Sequence, residues 1–405
     1  MLTSVHIKNF RSCKDVKLEG LGHMAALVGR NGAGKTTILR AIEWMARTAL
    51  LTEGFSTAFS EADVAELFAD PQLEVELTSG EYEYRYRIGR SFGEVDLLGR
   101  SKGARDEEVL LVHRLGSDGW AVLMAREQHT VSLAGREQTI ELQPSAAMMP
   151  ALASLLPEDD LLQGHLRRVA EVLRGVRYYL GHGMIDPADP VWLGFTSPIP
   201  KTLYERWVAE NEQRGNDNPS LLLRIIHAHQ TAPEVFAELK SRVGPEGLGV
   251  IRDIRVTTLG DMAENARKRG PRYYEVAFVP MSQDVELSLN QLSRGTQQML
   301  YLMLGLLLDG SSTMLVEQPE DGIHPALLVK LIDLLRVNAD PTQIILASHS
   351  PTVLSQLRPA DVRLVEMVDG STQVRALTEP EVKRAQEYMQ REGSLAEFLE
   401  LIQAD

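Results

Sequence analysis

The chain has a single cysteine in 405 residues, Cys13. That excludes an internal disulfide framework and suits a reducing compartment. No uncharged apolar run reaches membrane-spanning length, and the most apolar stretch, Met299–Leu308, is only long enough for a buried helix. No secretory leader precedes the first strand-like run, so the expected location is cytoplasmic with no membrane partner. Basic charge is also scarce. Against 56 Asp and Glu stand 42 Lys and Arg, a formal net charge of −14 that argues against a DNA-coating protein. Two basic clusters remain, Arg167-Arg168 with Arg174 and Arg177, and Arg267-Lys268-Arg269 with Arg272. Neither is interleaved with aromatics, as single-strand binding would want, and a solvated face is the simpler reading of both. A local nucleic-acid patch stays open. Tandem repeats and long heptad runs are absent as well. What is present is 44% hydrophobic content, enough for a large core and two lobes.

Residues 27–37, Leu-Val-Gly-Arg-Asn-Gly-Ala-Gly-Lys-Thr-Thr, carry the most specific chemistry. Gly29, Gly34, Lys35 and Thr36 satisfy G-x-x-x-x-G-K-[ST], a phosphate-binding loop. Ala25–Val28 reads as the strand entering it and Ile38–Ala46 as the helix leaving it. Gly32 and Gly34 let backbone N–H groups converge on phosphates, and the helix start adds unpaired donors and its positive dipole end. Lys35 would reach the β- and γ-phosphates, while Thr36 would hold Mg²⁺. The predicted nucleotide contacts are Asn31, Gly32, Ala33, Gly34, Lys35, Thr36 and Thr37.

Three downstream segments accompany the loop. Leu292-Ser293-Arg294-Gly295-Thr296-Gln297-Gln298 precedes the apolar stretch Met299–Leu308. Thr313–Val316 is an apolar run ending in Glu317-Gln318-Pro319-Glu320, and Gln343–Ala347 is another ending in Ser348-His349-Ser350-Pro351. Singly, each has an innocent reading as a turn, a loop acid or a structural histidine. In this order behind a phosphate loop, they form a set.

With these motifs, and the opening Ile7-Lys8-Asn9-Phe10-Arg11-Ser12, the chain resembles ABC-type ATPases of the SMC/RecF-like branch. The stretch Glu317–Pro325, the Ser-His-Ser-Pro of 348–351 and Pro233–Leu239 leading into Leu248–Ile251 resemble the overcoming-lysogenization-defect (OLD) relatives. Many of those are ATPase halves of anti-phage systems. The resemblance covers both ends well and the middle loosely. It implies an α/β fold: a P-loop ABC-type core with an antiparallel β-subdomain and a compact helical insertion. It implies ATP and Mg²⁺ as cofactors and a head-to-tail pair of copies. Ser293 and the Gly295 amide of one copy would then meet the γ-phosphate on the other. Arg294 would either touch ATP or face solvent. Arg11, from the opening turn, is an expected nucleotide contact.

Glu317-Gln318 stands where most relatives have Asp-Glu. Glu317 can support Mg²⁺. For the attacking water three readings are open: Gln318 orients it, Glu317 or Glu320 supplies the base, or ATP is bound and hardly hydrolysed. His349 would sense the γ-phosphate. Gln143, before Pro144-Ser145, is the candidate Q-loop residue and a third Mg²⁺ contact beside Thr36 and Glu317. The stretch after His349 is too short for the Toprim nuclease domain of OLD relatives by ordinary size. The expectation is therefore a sensor ATPase, slow in turnover, controlling a separately encoded effector of nuclease or Toprim type. The alternative is a RecF-like repair ATPase that binds DNA.

Four regions are expected. Residues 1–150 form lobe I with the loop and β-subdomain, and 151–272 a mainly helical insertion. Residues 273–378 form lobe II with signature, Walker B and switch histidine, and 379–405 an acidic helical tail. Short runs at Leu73–Glu76, Tyr82–Ile88, Val109–Leu115, Trp120–Met124 and Thr139–Leu142 read as β-subdomain strands. Helices are expected at 59–70, 151–176, 201–212 and 219–243. Arg252–Thr257 and Tyr273–Val279 read as strands returning to the core, and Gly181–Pro200 as irregular. Val362–Val368 and Val374–Leu377 suit closing strands. In the tail, Leu395, Phe398, Leu399 and Ile402 are spaced as a docking face.

Overall fold

The computed structural model describes residues 1–50, 71–91, 105–117, 119–127, 130–136, 140–141, 147–157, 159–180, 198–214, 220–260 and 273–404. The chain divides into two compact units. The first comprises Met1–Tyr178, Ser311–Glu317 and Arg336–Asp405, the second Tyr179–Gly310 and Gln318–Leu335.

The first unit is built on two sheets. A six-stranded sheet runs in the order Val176–Leu180, Thr313–Glu317, Gln343–Ser348, Met24–Val28, Val362–Val368, Ser371–Ala376. Thr313–Glu317, Gln343–Ser348 and Met24–Val28 are mutually parallel and buried along their whole length. Both faces of such strands are covered, which is why each carries a continuous apolar run, Met24–Val28, Met314–Val316 and Ile344–Ala347. The second sheet is an eight-stranded antiparallel meander spanning Leu2–Phe10 to Ile140–Glu141, with Cys13–Leu18 at one edge. Its strands alternate, as in Gln72–Ser79, where Leu73, Val75 and Leu77 are fully buried. Arg85 and Arg87 pair with Glu76 and Glu74 across the neighbouring strand at 2.5 and 2.6 Å.

Helix Lys35–Thr48 joins the two sheets' apolar faces, burying Ile38, Leu39, Ala41, Ile42, Met45 and Ala46 in one core with Leu27, Leu315, Leu73 and Tyr84. Gln343 stitches the opening strand to the parallel sheet. Its amide donates to the carbonyls of Leu2 and Gly22 at 2.7 and 2.8 Å and accepts from the Leu2 N–H at 3.0 Å.

The second unit holds a three-stranded antiparallel sheet, Ile199–Pro200, Tyr273–Pro280 and Ile251–Leu259, with helices Lys201–Arg214, Leu221–Thr231, Pro233–Val243, Arg294–Leu308 and most of Pro325–Val337. Arg224 is 2% exposed and forks onto both Asp309 oxygens at 2.7 Å, while the Tyr179 hydroxyl donates to the same carboxylate at 2.7 Å. A buried charge survives when it is paired and hydrogen-bonded.

Several expectations need correction. The span 151–176 is two helices, Met148–Leu155 and Leu161–Arg174, followed by strand Val176–Leu180. Pro157 separates the helices, Asp160 caps the second through the Leu162 N–H at 2.9 Å, and Gly175 ends it. The span 219–243 breaks at Ala232, before Pro233, because Pro lacks the N–H that would continue the ladder. Ile251–Leu259 and Tyr273–Pro280 pair with each other and with Ile199–Pro200; they do not rejoin the parallel sheet. A further strand, outside the expected set, runs at Thr130–Leu133. The tail is two helices, Glu379–Arg391 and Leu395–Ala404, with Leu395, Phe398 and Leu399 buried and Ile402 half-buried. The expected helix at 59–70, Gln143, residues 181–197, the loop at 215–219 and the basic cluster at 267–272 lie outside the described residues.

Candidate functional site

The parallel strands set the site's edge. Glu317 is level with Ala347, and Ser348 with Val28, so Glu317, His349 and the start of the phosphate loop share the carboxyl end of the sheet. That end is where open α/β sheets bind ligands. His349 is exposed there, and the Ser348 hydroxyl behind it accepts from the Ser350 N–H at 3.0 Å.

Between strand and helix the loop turns through positive φ at Gly32 (78°) and Gly34 (105°). Side chains would not fit at two of its glycines. A Cβ on Gly29 would meet the Val365 carbonyl oxygen at 2.1 Å, and one on Gly34 the Thr372 hydroxyl at 2.0 Å. Ala33 is buried, Thr37 half-buried, and Asn31, Gly32 and Thr36 are exposed. Lys35 is 7% exposed; its ammonium donates to the Gly29 and Arg30 carbonyls at 2.8 and 2.9 Å. It is thus folded onto the loop it would fill with phosphate.

The Thr36 hydroxyl donates to one Glu317 oxygen, and the Tyr178 hydroxyl donates to the other. Tyr178 lies on edge strand Val176–Leu180, and the Arg40 guanidinium sits 4.0 Å from its ring centre. Arg40 also holds Glu43 at 2.9 Å. Burial works against the Arg40 charge, but Glu43 and Tyr178, followed by Glu317, more than offset it and raise its pKa. Burial pushes the Tyr178 phenol far above its ordinary range, Arg40 opposing and Glu317 adding. The group stays protonated.

Two residues of the first unit's site lie outside every sequence motif. Tyr178 is one. Thr372 is another: fully buried, its hydroxyl donates to the Ala33 carbonyl at 3.1 Å and takes the Ser12 hydroxyl at 2.8 Å. It ties the opening turn, with exposed Arg11 at φ 50° packed on Phe10, to the phosphate loop. In the second unit Gln298, the last residue of the Leu292–Gln298 segment, donates its amide to the Gln318 and Pro319 carbonyls at 3.4 and 3.3 Å.

Ser293, Gly295, Gln318 and Glu320 belong to the second unit. Ser293 caps helix Arg294–Leu308, its hydroxyl accepting from the Thr296 N–H at 3.1 Å; Arg294 beside it is exposed. Gly295 is required, since a Cβ there would lie 2.2 Å from the Gly322 carbonyl oxygen. Gln318 takes the left-handed φ of 46°, and Glu320 is half-buried.

Thr36 and Glu317 put two hard oxygen donors in contact beside the phosphate loop, a pairing that fits Mg²⁺ held jointly with phosphate and water. Among the described residues no group of three or more His, Cys, Asp or Glu could hold a metal alone. Also among them, no helix is long and apolar enough to cross a membrane. Of the first basic cluster, Arg168 lies 5.3 Å from the centre of the Tyr82 ring, packed beside His165.

Comparison with known proteins fits this geometry. An "AAA ATPase domain" family matches residues 1–120, which hold the phosphate loop. A family described as "AAA domain, putative AbiEii toxin, Type IV TA system" matches 203–355, which hold the other three motifs. The SMC head crystallised with the C-winged helix domain of ScpA superposes with a TM-score of 0.50 at 14% identity, covering 94% of this chain and 99% of that one. The chain is similar to ATPase domains at both ends and has the fold of an SMC head. Its likeness to OLD is local: 58% identity over 43 residues with an OLD nuclease of Thermus scotoductus, 11% of this chain and 8% of that protein. A ribose import ATP-binding protein of Streptomyces avermitilis is 33% identical over 117 residues, 26% of this chain and 22% of that one. The chain thus spans under a quarter of the length of these curated relatives.

Proposed function

We propose that this ATPase binds Mg–ATP at the Lys35 cradle and hydrolyses it between two copies of itself. The reading rests on one observation, the Thr36–Glu317 contact directly behind a lysine folded onto its own loop. Triphosphate oxygens would take Lys35 from the Gly29 and Arg30 carbonyls, exchanging neutral acceptors for charged ones, which bind more strongly. The loop amides and the start of helix Lys35–Thr48 hold the rest of the charge. Mg²⁺, held through Thr36 and Glu317 with Gln143 as a further candidate, would offset charge on the β- and γ-oxygens.

The second copy contributes Ser293 and the Gly295 amide at its helix start, facing the γ-phosphate. Gln318 orients the attacking water, with Glu317 or Glu320 as the alternative base, and His349 reads the γ-phosphate from the strand end. An amide accepts no proton, so turnover is expected to be slow.

The same reading extends to biology. The local OLD likeness and the toxin–antitoxin family match support a sensor component of an anti-phage system that controls a separately encoded effector, of nuclease or Toprim type. Lys35→Ala tests the base of this proposal. It should abolish binding of a fluorescent ATP analogue at low micromolar protein while leaving the melting temperature near wild type; unchanged binding overturns the site.

A further inference from the structure

Tyr178 lies far in sequence from every nucleotide motif, yet its hydroxyl ends on the carboxylate that faces Thr36. We infer that Tyr178 is a positioning residue for the metal-facing oxygen of Glu317, an inference that rests on the Mg–ATP reading above.

Glu317 is 6% exposed, and its two oxygens are divided between two donors: one takes Thr36, the other Tyr178. A buried carboxylate with a single donor can rotate about its last bond and present either oxygen. With both oxygens held, it presents one. Tyr178 occupies the oxygen away from Thr36 and so keeps the Thr36-side oxygen directed to the place where that hydroxyl sits.

The phenol is itself held on two sides. Strand Val176–Leu180 is anchored at its start, where the Gly175 carbonyl accepts from the Ser312 and Thr313 N–H groups at 2.9 and 3.2 Å. A side chain at Gly175 would collide with Ser312, its Cβ 2.5 Å from that backbone nitrogen, so the two strands meet closely there. From the other side Arg40 covers the ring at 4.0 Å and is kept in place by Glu43. Arg40 sits one turn beyond Thr36 on the same helix. The helix that supplies the metal-facing hydroxyl therefore also grips the residue that aims the carboxylate. The logic is that of outer partners that orient metal ligands, whose removal costs about 10- to 100-fold in metal affinity.

Tyr178→Phe keeps the ring and its Arg40 contact and removes only the hydroxyl. The experiment uses the full chain, a fluorescent ATP analogue and Mg²⁺ titrated from EDTA, for wild type, Tyr178→Phe and Glu317→Gln. Wild type should show Mg²⁺-dependent tightening of nucleotide binding. Tyr178→Phe should bind nucleotide without Mg²⁺ as wild type does, but need about tenfold or more Mg²⁺ to reach half tightening. Glu317→Gln should show little tightening at any Mg²⁺. A wild-type protein with no Mg²⁺-dependent binding defeats the function proposed above. A wild type that tightens, beside a Tyr178→Phe variant with the same Mg²⁺ midpoint, defeats the inference alone. So does a Tyr178→Phe variant that loses binding equally with and without Mg²⁺, since that marks general damage to the fold.

Discussion

Cys13 illustrates what position does to a single side chain. It is fully buried where the opening strand turns, next to Thr372 and Ser12. Burial pushes its thiol from 9.0 up to about 11, and the hydrogen bonds from Thr372 and Ser12 offset only part of that. The thiol is neutral when folded and ionises sooner when unfolded. Its contribution to stability is therefore complete below pH 9 and lost as pH rises toward about 11. Denaturation midpoints of the wild type should fall across that window, and Cys13→Ala should flatten the fall. An equal fall in the variant would assign it to other groups. The same neighbourhood shows why Thr372 was invisible in sequence. A threonine in a closing strand carries no motif, and its partner Ala33 is 339 positions away. Lys35, Thr36 and Gly34 were legible because phosphate binding needs them contiguous, so chemistry and sequence order coincide.

At the level of elements, legibility followed how local the cause is. The fully buried strands Met24–Val28, Thr313–Glu317 and Gln343–Ser348 announce themselves as apolar runs, and the motifs at their carboxyl ends follow from chain direction. Val176–Leu180 did not, because an amphipathic helix runs straight into it and only Gly175 marks the change. Likewise, the pairing of Ile251–Leu259 with Tyr273–Pro280 is decided by partner strands, which alternation alone cannot choose.

Helix Arg294–Leu308 offers a test at this scale, because its cap has two separable duties. Ser293 accepts the Thr296 N–H, a role Asp fills equally well, whereas Ala forfeits about 1 kcal/mol. In the proposed pair the same hydroxyl faces a γ-phosphate, where a carboxylate would be repelled. Ser293→Asp should therefore melt with wild type and lose ATP hydrolysis, while Ser293→Ala should lose stability. Normal turnover in the Asp variant would leave Ser293 as a helix cap and nothing more.

For the molecule as a whole, the motifs divide between the two compact units: Lys35, Thr36, Glu317 and His349 in one, Ser293, Gly295, Gln318 and Glu320 in the other. In the proposed head-to-tail pair, each nucleotide would draw its cradle from one copy and its Ser293 corner from the other. The proposal makes a quantitative demand on mixtures. Lys35→Ala and Ser293→Asp should each be inactive alone, because every site in either pure pair lacks one half. In a mixed pair, one site carries both lesions and the other carries none. Random exchange in an equal mixture makes half the pairs mixed, each with one of two sites intact. Hydrolysis should then return to roughly a quarter of wild type, as the symmetry of a two-fold pair requires. The recovered rate should vanish on dilution below the dissociation constant of the pair. An equal mixture that stays as inactive as its parents, under conditions where the wild type pairs and turns over, would mean that each copy works with its own Ser293 or with none.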